Sequence, residues 1–383
     1  MVRFTLGSRV ASVVAVSVTL AVWLAGASTA LASPGWAIQS TPNPPATGVL
    51  SSVSCTAAAC SAVGYSTPEA SLAEQWNGTN WTFQPSISLG AAMHPVLSGV
   101  SCTSANACTA VGSMKHIYCP LACNRGMQIV TGTMAMQWNG TGWSWVPTYP
   151  SQATPSSLSG VSCPSATACV AVGSSSSGTL AETWNGTAWT IQTTPSGPAL
   201  SAVSCPSTNL CIAVGGSLAE RWNGTNWTIQ TTPNPPNGVA YNVLSGVSCT
   251  AANACRAVGY SVSTSGGVYQ SLAEAWNGST WTVQTTPHPT GATSGTLSAI
   301  SCPAANACTA VGNYTNSVVG TQVTLAERWN GSTWTVQTTP NPNGATYSTL
   351  SGVSCTATTA CTAVGDSING SGTDVTLAEQ YSG

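Results

Sequence analysis

Charge is what this 383-residue chain lacks most: seven Lys plus Arg and nine Asp plus Glu make up only 4% of it. That excludes the basic stripe a nucleic-acid binder needs to neutralise phosphates, and the polybasic run that would hold an anionic membrane. Histidine is nearly absent as well, at three residues with no ligand-like spacing between them, so no metal and no cofactor are expected. Phe occurs twice against fifteen Trp, and no run of period-3.6 hydrophobicity follows the N-terminal segment. Disorder is excluded in turn, because 43% of the residues are hydrophobic and the polar remainder is mostly Ser, Thr, Asn and Gly.

What is present is repetition. Trp222-Asn223-Gly224-Thr225-Asn226-Trp227 reads as a β-hairpin: Leu218, Glu220 and Trp222 alternate with Ala219 and Arg221, Asn-Gly turns the chain, and Trp227 and Ile229 resume an extended run. Near copies stand at Trp76/Trp81, Trp138/Trp143, Trp184/Trp189, Trp276/Trp281 and Trp329/Trp334. Each repeat has one order: L-S-G-V-S-C, a short turn, C-x-A-V-G, a variable connector, L-A-E-x-W-N-G, a turn, and W-T-x-Q-T-T-P. That order predicts four strands per repeat.

The Cys pairs count the repeats: Cys55/Cys60, Cys102/Cys108, Cys163/Cys169, Cys205/Cys211, Cys249/Cys255, Cys302/Cys308 and Cys355/Cys361. Repeat length and the abundance of Val, Thr, Trp and Gly suit propeller blades rather than helical solenoids. The two ends complete each other. Trp36-Ala37-Ile38-Gln39 is a final strand without its partner, and Leu377-Ala378-Glu379-Gln380-Tyr381 stops where a Trp strand should follow. The expected fold is therefore all-β: a seven-bladed β-propeller of four-stranded antiparallel blades, with the N-terminal strand completing the last blade and removing an open edge.

These motifs resemble kelch-type and related secreted bacterial β-propellers, in which a Gly-containing second strand leads to an aromatic residue, a tight turn and a Trp strand. The resemblance covers nearly the whole chain after its leader and implies a propeller without fixing a function. A-V-G stands where kelch repeats carry a double glycine, and W-N-G where they carry Tyr-Asp.

Arg3 and Arg9 precede an apolar run from Val10 to about Ala25, and Ala30-Leu31-Ala32 offers a small-x-small cleavage site. Residues 1–32 are read as a signal peptide and 33–383 as one propeller domain, secreted, extracellular or cell-wall associated, and not held by a membrane after cleavage. A monomer is expected. In an exported chain the seven Cys pairs read as local disulfides, each tying strand one to strand two at its turn and worth roughly 2 kcal/mol on a chain-entropy estimate. Cys119 and Cys123 sit in an insertion, Lys115 to Thr133, and read as an eighth pair.

Glu74, Glu182, Glu220, Glu274, Glu327 and Glu379 recur in L-A-E, with Met136 at the remaining position. Acid/base catalysis needs carboxyls in unlike surroundings, so this repetition points to scaffold hydrogen bonding. The Trp residues read as packing groups, and the Asn-Gly sequons as turns rather than glycosylation sites.

Binding residues are sought on the connectors between strands two and three and between strands four and one, which are long and variable and emerge on one face. Tyr65, Tyr118, Tyr149, Tyr241, Tyr260, Tyr269, Tyr314 and Tyr347 lie in or beside them. So do His94, His116, His288, Lys115, Arg125, Asp366 and Asp374. Tyr offers contact area and a hydroxyl at low entropic cost, which suits a glycan or a protein surface. The expected function is a non-enzymatic binding module for an extracellular glycan or protein. A carbohydrate-active lyase or glycosidase is the alternative, for which Asp366, Asp374 and Glu69 would have to converge. A passive envelope protein is the third reading.

Overall fold

Every repeat forms the four strands that its alternation demands. In the computed structural model, Pro34–Gly383 is one compact unit. It is described except for residues 58, 68–69, 86–92, 119–127, 149–154, 236–238, 265 and 319. Of the preceding unit, Met1–Ser33, only Met1 and Val2 are described, so the expected leader lies outside the described residues. No described helix is long and apolar enough to cross a membrane.

Repeats 1 to 5 each make a four-stranded antiparallel sheet in sequence order. Repeats 6 and 7 share one eight-stranded sheet, joined by a single parallel pairing of Gln322 with Tyr347. The strand Gly35–Gln39 pairs antiparallel with Asp374–Ser382, Trp36 opposite Tyr381, so the complementary ends do meet. Trp36 and Tyr381 lie 5.6 Å apart between ring centroids, the spacing of the Trp276/Trp281 pair.

Within a repeat the hairpin follows its local chemistry. Asn277 Oδ1 accepts hydrogen bonds from the backbone N–H groups of Ser279 and Thr280, each at 2.9 Å, and Gly278 takes a φ of 100° that other residues resist. The same Asn side-chain geometry recurs at Asn77, Asn139, Asn185, Asn223 and Asn330, so the turn reading of Asn-Gly holds. Seven disulfides join strand one to strand two at their shared turn, as the spacing predicted. Their number suits an oxidising, extracellular environment. Cys119 and Cys123 lie outside the described residues.

The disulfides differ from simple turn staples in one respect. The second cysteine of every pair, namely Cys60, Cys108, Cys169, Cys211, Cys255, Cys308 and Cys361, is buried in the hydrophobic core. Strand register gives the reason. Cys108 pairs with Trp138, Cys169 with Trp184, Cys211 with Trp222, Cys255 with Trp276 and Cys308 with Trp329. Each therefore joins the core cluster that holds both Trp residues of its own hairpin. The expected link at the turn stands, and these half-cystines are apolar packing groups as well.

Between repeats the contacts are equally regular. The Ser before each first Cys accepts a hydrogen bond from the backbone N–H of the next repeat's first Cys: Ser54 to Cys102, Ser101 to Cys163, Ser162 to Cys205, Ser204 to Cys249, Ser248 to Cys302 and Ser301 to Cys355, at 2.9–3.0 Å. Ser354 makes the same bond, at 2.9 Å, to Cys55 of the first repeat. Small residues allow this approach. A methyl at Gly99 would lie 3.1 Å from Gly160 Cα, and one at Gly352 2.9 Å from Ser52 Cα. The Trp residues of the hairpin motif are buried apart from the half-buried Trp76, so their packing role stands. Each core cluster mixes neighbouring repeats, with Val364 and Ala378 of the last repeat packed on Leu50, Val53, Cys60 and Ala62 of the first.

The recurrent Glu residues meet the expectation of scaffold hydrogen bonding only in part. All six are buried between repeats; the carboxyl oxygens of Glu74, Glu220 and Glu274 have no hydrogen-bond partner among the described residues, whereas the Ser271 hydroxyl faces Glu327 and the Thr324 hydroxyl faces Glu379, each working against the effect of burial. Burial pushes four of these carboxyls up to about 8 and that of Glu220 to about 7. Near neutral pH the four are therefore mostly protonated, and Glu74, Glu220 and Glu274 are packed groups rather than members of a polar network. The Lys115 to Thr133 insertion differs too. Its alternating, β-prone residues extend the hairpin, with strands Ala107–Tyr118 and Gln128–Trp138 paired out to Tyr118 and Gln128.

Candidate functional site

Three strand positions at the long-connector end recur in register. They are the third residue before the core Leu of strand one, the residue after A-V-G on strand two, and the fifth residue before the L-A-E glutamate on strand three. In repeat 5 they are Tyr241, Tyr260 and Tyr269. Tyr241 and Tyr269 both pair with Val262, two residues from Tyr260, so all three share one face of the sheet. In repeat 7 the same positions hold Tyr347, Asp366 and Asp374: Tyr347 and Asp374 both pair with Ile368, two residues from Asp366. In repeat 6 they hold Ser294, Asn313 and Gln322, with Thr315 as the shared partner.

The three sets carry different chemistry. Tyr241 is 50% and Tyr269 41% exposed, and the rings of Tyr260 and Tyr269 stand 5.3 Å apart at 55°. Burial first, then the charge and hydroxyl of Tyr269, then Tyr260, push the Tyr241 phenol up. In repeat 6, Gln322 Nε2 donates to Asn313 Oδ1 at 2.7 Å, and Asn313 Nδ2 donates to Thr349 Oγ1 of repeat 7 at 3.0 Å. Asn313 and Gln322 escaped the sequence reading, which sought aromatic and charged residues; aligning the repeats position by position would have found them.

In repeat 7, Asp366 is 8% exposed and its carboxyl is pushed up to about 6, chiefly by burial and then by the charge of Asp374. Burial raises the Tyr347 phenol, reinforced by Asp366 and Asp374. Tyr65, from the first repeat, is raised by burial and by the same two carboxyls. The face bearing Asp366 turns toward repeat 1: Val364, two residues away, joins the repeat 1 core, and a methyl on Gly48 would lie 3.1 Å from Thr376 Cγ2. Tyr65, Tyr347, Asp366 and Asp374 thus gather where the first and last repeats meet.

The remaining candidates are scattered. Tyr314 packs against the core around Leu297 and Leu325 rather than joining a surface cluster. His94 precedes the first strand of repeat 2 with a φ of 43°, and His288 is exposed on a connector. Lys115 and His116 lie on the extended hairpin, where the His116 imidazole is packed over Gly132. Tyr118 ends that strand. Arg125, Tyr149 and Glu69 lie outside the described residues. The disulfides stand at the opposite, short-turn end of the strands, so Cys108, Cys169, Cys211, Cys255 and Cys308 take no part in the connector-end site. No group of three or more His, Cys, Asp or Glu able to hold a metal ion occurs among the described residues.

Every repeat's first strand also lines one cavity of about 190 Å³. Ser51, Ser98, Ser159, Ser201, Ser245, Ser298 and Ser351 recur around it, each followed by a small residue.

Repeated four-stranded antiparallel blades around such a cavity make this an all-β protein of propeller-like build. No protein-family model and no curated protein matches the chain. Solved structures do. YCF48 bound to a D1 peptide is similar over 91% of this chain and 97% of its own, at 13% identity and a TM-score of 0.56. A PL25 ulvan lyase is similar over 88% and 94%, at 8% identity and a TM-score of 0.58, and is also seen bound to -[GlcA(1-4)Rha3S]-. A protein of unknown function from Dyadobacter fermentans is similar over 91% and 99%, at 9% identity and a TM-score of 0.50. At these identities the likeness is one of fold.

Proposed function

We propose that the chain is a secreted seven-bladed propeller, closed by its N-terminal strand, that binds an extracellular glycan through its long-connector face without catalysing a reaction. Closure is supported by the Ser354 to Cys55 bond, by Gly352 against Ser52, and by a cavity to which all seven first strands contribute. The observation that carries the binding reading is the cluster of the exposed Tyr241 and Tyr269 with the half-buried Tyr260. Its rings offer the flat, amphipathic contact that the apolar face of a sugar ring requires. Gln322 and Asn313 continue it with amide hydrogen-bonding groups, and the pairing of Gln322 with Tyr347 brings in the last repeat, so an extended ligand fits better than a compact one. Lys115 and His116, on the extended hairpin, are assigned in this reading to the outer rim of the face.

The test is binding of the purified protein to a panel of cell-wall and environmental polysaccharides, beside a Tyr241→Ala/Tyr347→Ala variant. Binding is expected to fall at least about 10-fold in the variant with the melting temperature kept, since each aromatic contact is worth about 1 kcal/mol beyond its area. Absence of glycan binding by the parent, or equal binding by the variant, overturns the reading.

A further inference from the structure

The Tyr-Asp-Asp set of repeat 7 is chemically unlike the rest of this weakly charged chain. Its two carboxyls sit at diagonal positions of neighbouring strands, near enough for Asp374 to raise Asp366. Among the described residues, no Lys or Arg offsets the effect of burial and of Asp374 on Asp366. Asp366 is 8% exposed, and its carboxyl oxygens are not among the fully enclosed unpartnered atoms, so they remain open to a donor from outside the chain. Two tyrosines, Tyr65 and Tyr347, complete the surroundings, and aromatic faces attract cations.

We propose that Asp366 and Asp374, flanked by Tyr65 and Tyr347, form a site for a primary ammonium group carried by an amino-sugar polymer. An ammonium brings three donors and one positive charge to a place that has acceptors and excess negative charge. Two carboxylates fall short of the six or more oxygen ligands that a calcium ion takes. A uronate would meet like charge, so the acidic sugar seen with the ulvan lyase is the wrong class of ligand here. A polymer is favoured over a free amine because the Gln322 pairing continues the site into the repeat 6 amides and the repeat 5 tyrosines. This inference rests on the glycan reading above and names its ligand class.

The experiment compares a glucosamine oligomer with its fully N-acetylated counterpart of equal length, by calorimetry, on the parent protein and on Asp374→Asn, Asp366→Asn and Tyr241→Ala variants. The parent is expected to bind the free-amine oligomer at least about 10-fold more tightly, the worth of one charge-assisted hydrogen bond. Asp374→Asn should erase that preference while leaving binding of the acetylated oligomer unchanged; Tyr241→Ala should weaken both oligomers and keep the preference. Asp366→Asn removes a buried acid, so an equal or higher melting temperature certifies its fold while the preference falls. Equal binding of both oligomers by the parent overturns the ammonium site and leaves the glycan reading standing. Binding of neither oligomer while a lysine-containing peptide binds overturns the amino-sugar ligand, and the absence of binding to any glycan on the panel overturns the reading beneath it.

Discussion

Repeats 5 and 7 place three side chains in the same register and fill those positions with opposite chemistry. Tyr241, Tyr260 and Tyr269 make a neutral aromatic surface; Tyr347, Asp366 and Asp374 make an acidic recess. Everything beneath is shared: the Cys pair with its buried second sulfur, the inter-repeat Ser to Cys bond, the aromatic pair of the hairpin, the buried Glu. The comparison teaches that the repeat specifies where side chains stand at the connector end, and that three variable positions decide what they do. A rigid frame with freely varied tips is the arrangement in which binding residues usually occur.

The frame can be broken most severely through its disulfides. At roughly 2 kcal/mol each, the seven together contribute on the order of 14 kcal/mol, as much as the whole stability of an ordinary domain. Reduction under native conditions is expected to unfold repeats 5 and 7 together, read by circular dichroism. Retention of native structure after complete reduction would mean that packing alone suffices.

The same frame was largely legible in the sequence. Hairpins, Cys pairs and complementary ends are encoded within a few residues of one another, so alternation, Asn-Gly and spacing reveal them. Spacing pairs Cys255 with Cys249, but it does not say that Cys255 will lie against Trp276 and Trp281, because that depends on the register of strands two and three. The binding positions were legible only in part. Tyr241, Tyr347, Asp366 and Asp374 stood out by residue type, but their assembly depends on strand register and on a contact between repeats some 300 residues apart in sequence. Asn313 and Gln322 look like ordinary polar residues until the repeats are superimposed. Repetition of Glu argued against catalysis, yet it carried no information on whether its oxygens would find donors.

The buried glutamates belong to the frame and not to the tips. Their folded-state values are raised above the ordinary carboxylate range, so the folded protein holds protons that the unfolded chain has released. Their contribution to stability is therefore fully present below about pH 4.5 and is lost as pH rises to about 8, by up to about 1.4 kcal/mol per pH unit for each such group. Glu274→Gln should flatten this slope and raise the melting temperature at pH 8.5, leaving it nearly unchanged at pH 4.5. An unaltered slope would mean that Glu274 is solvated or paired in solution.

The smallest effect on stability and the most direct test of the account come from exchanging the tips. A Tyr260→Asp/Tyr269→Asp variant gives repeat 5 the chemistry of repeat 7 without touching the frame. The deciding measurement is the ratio of its affinities for the free-amine and N-acetylated glucosamine oligomers, taken beside its melting temperature. A melting temperature within a few degrees of the parent and a ratio clearly above the parent's are expected. A folded variant whose ratio equals the parent's would contradict the claim that these three positions set what each repeat binds.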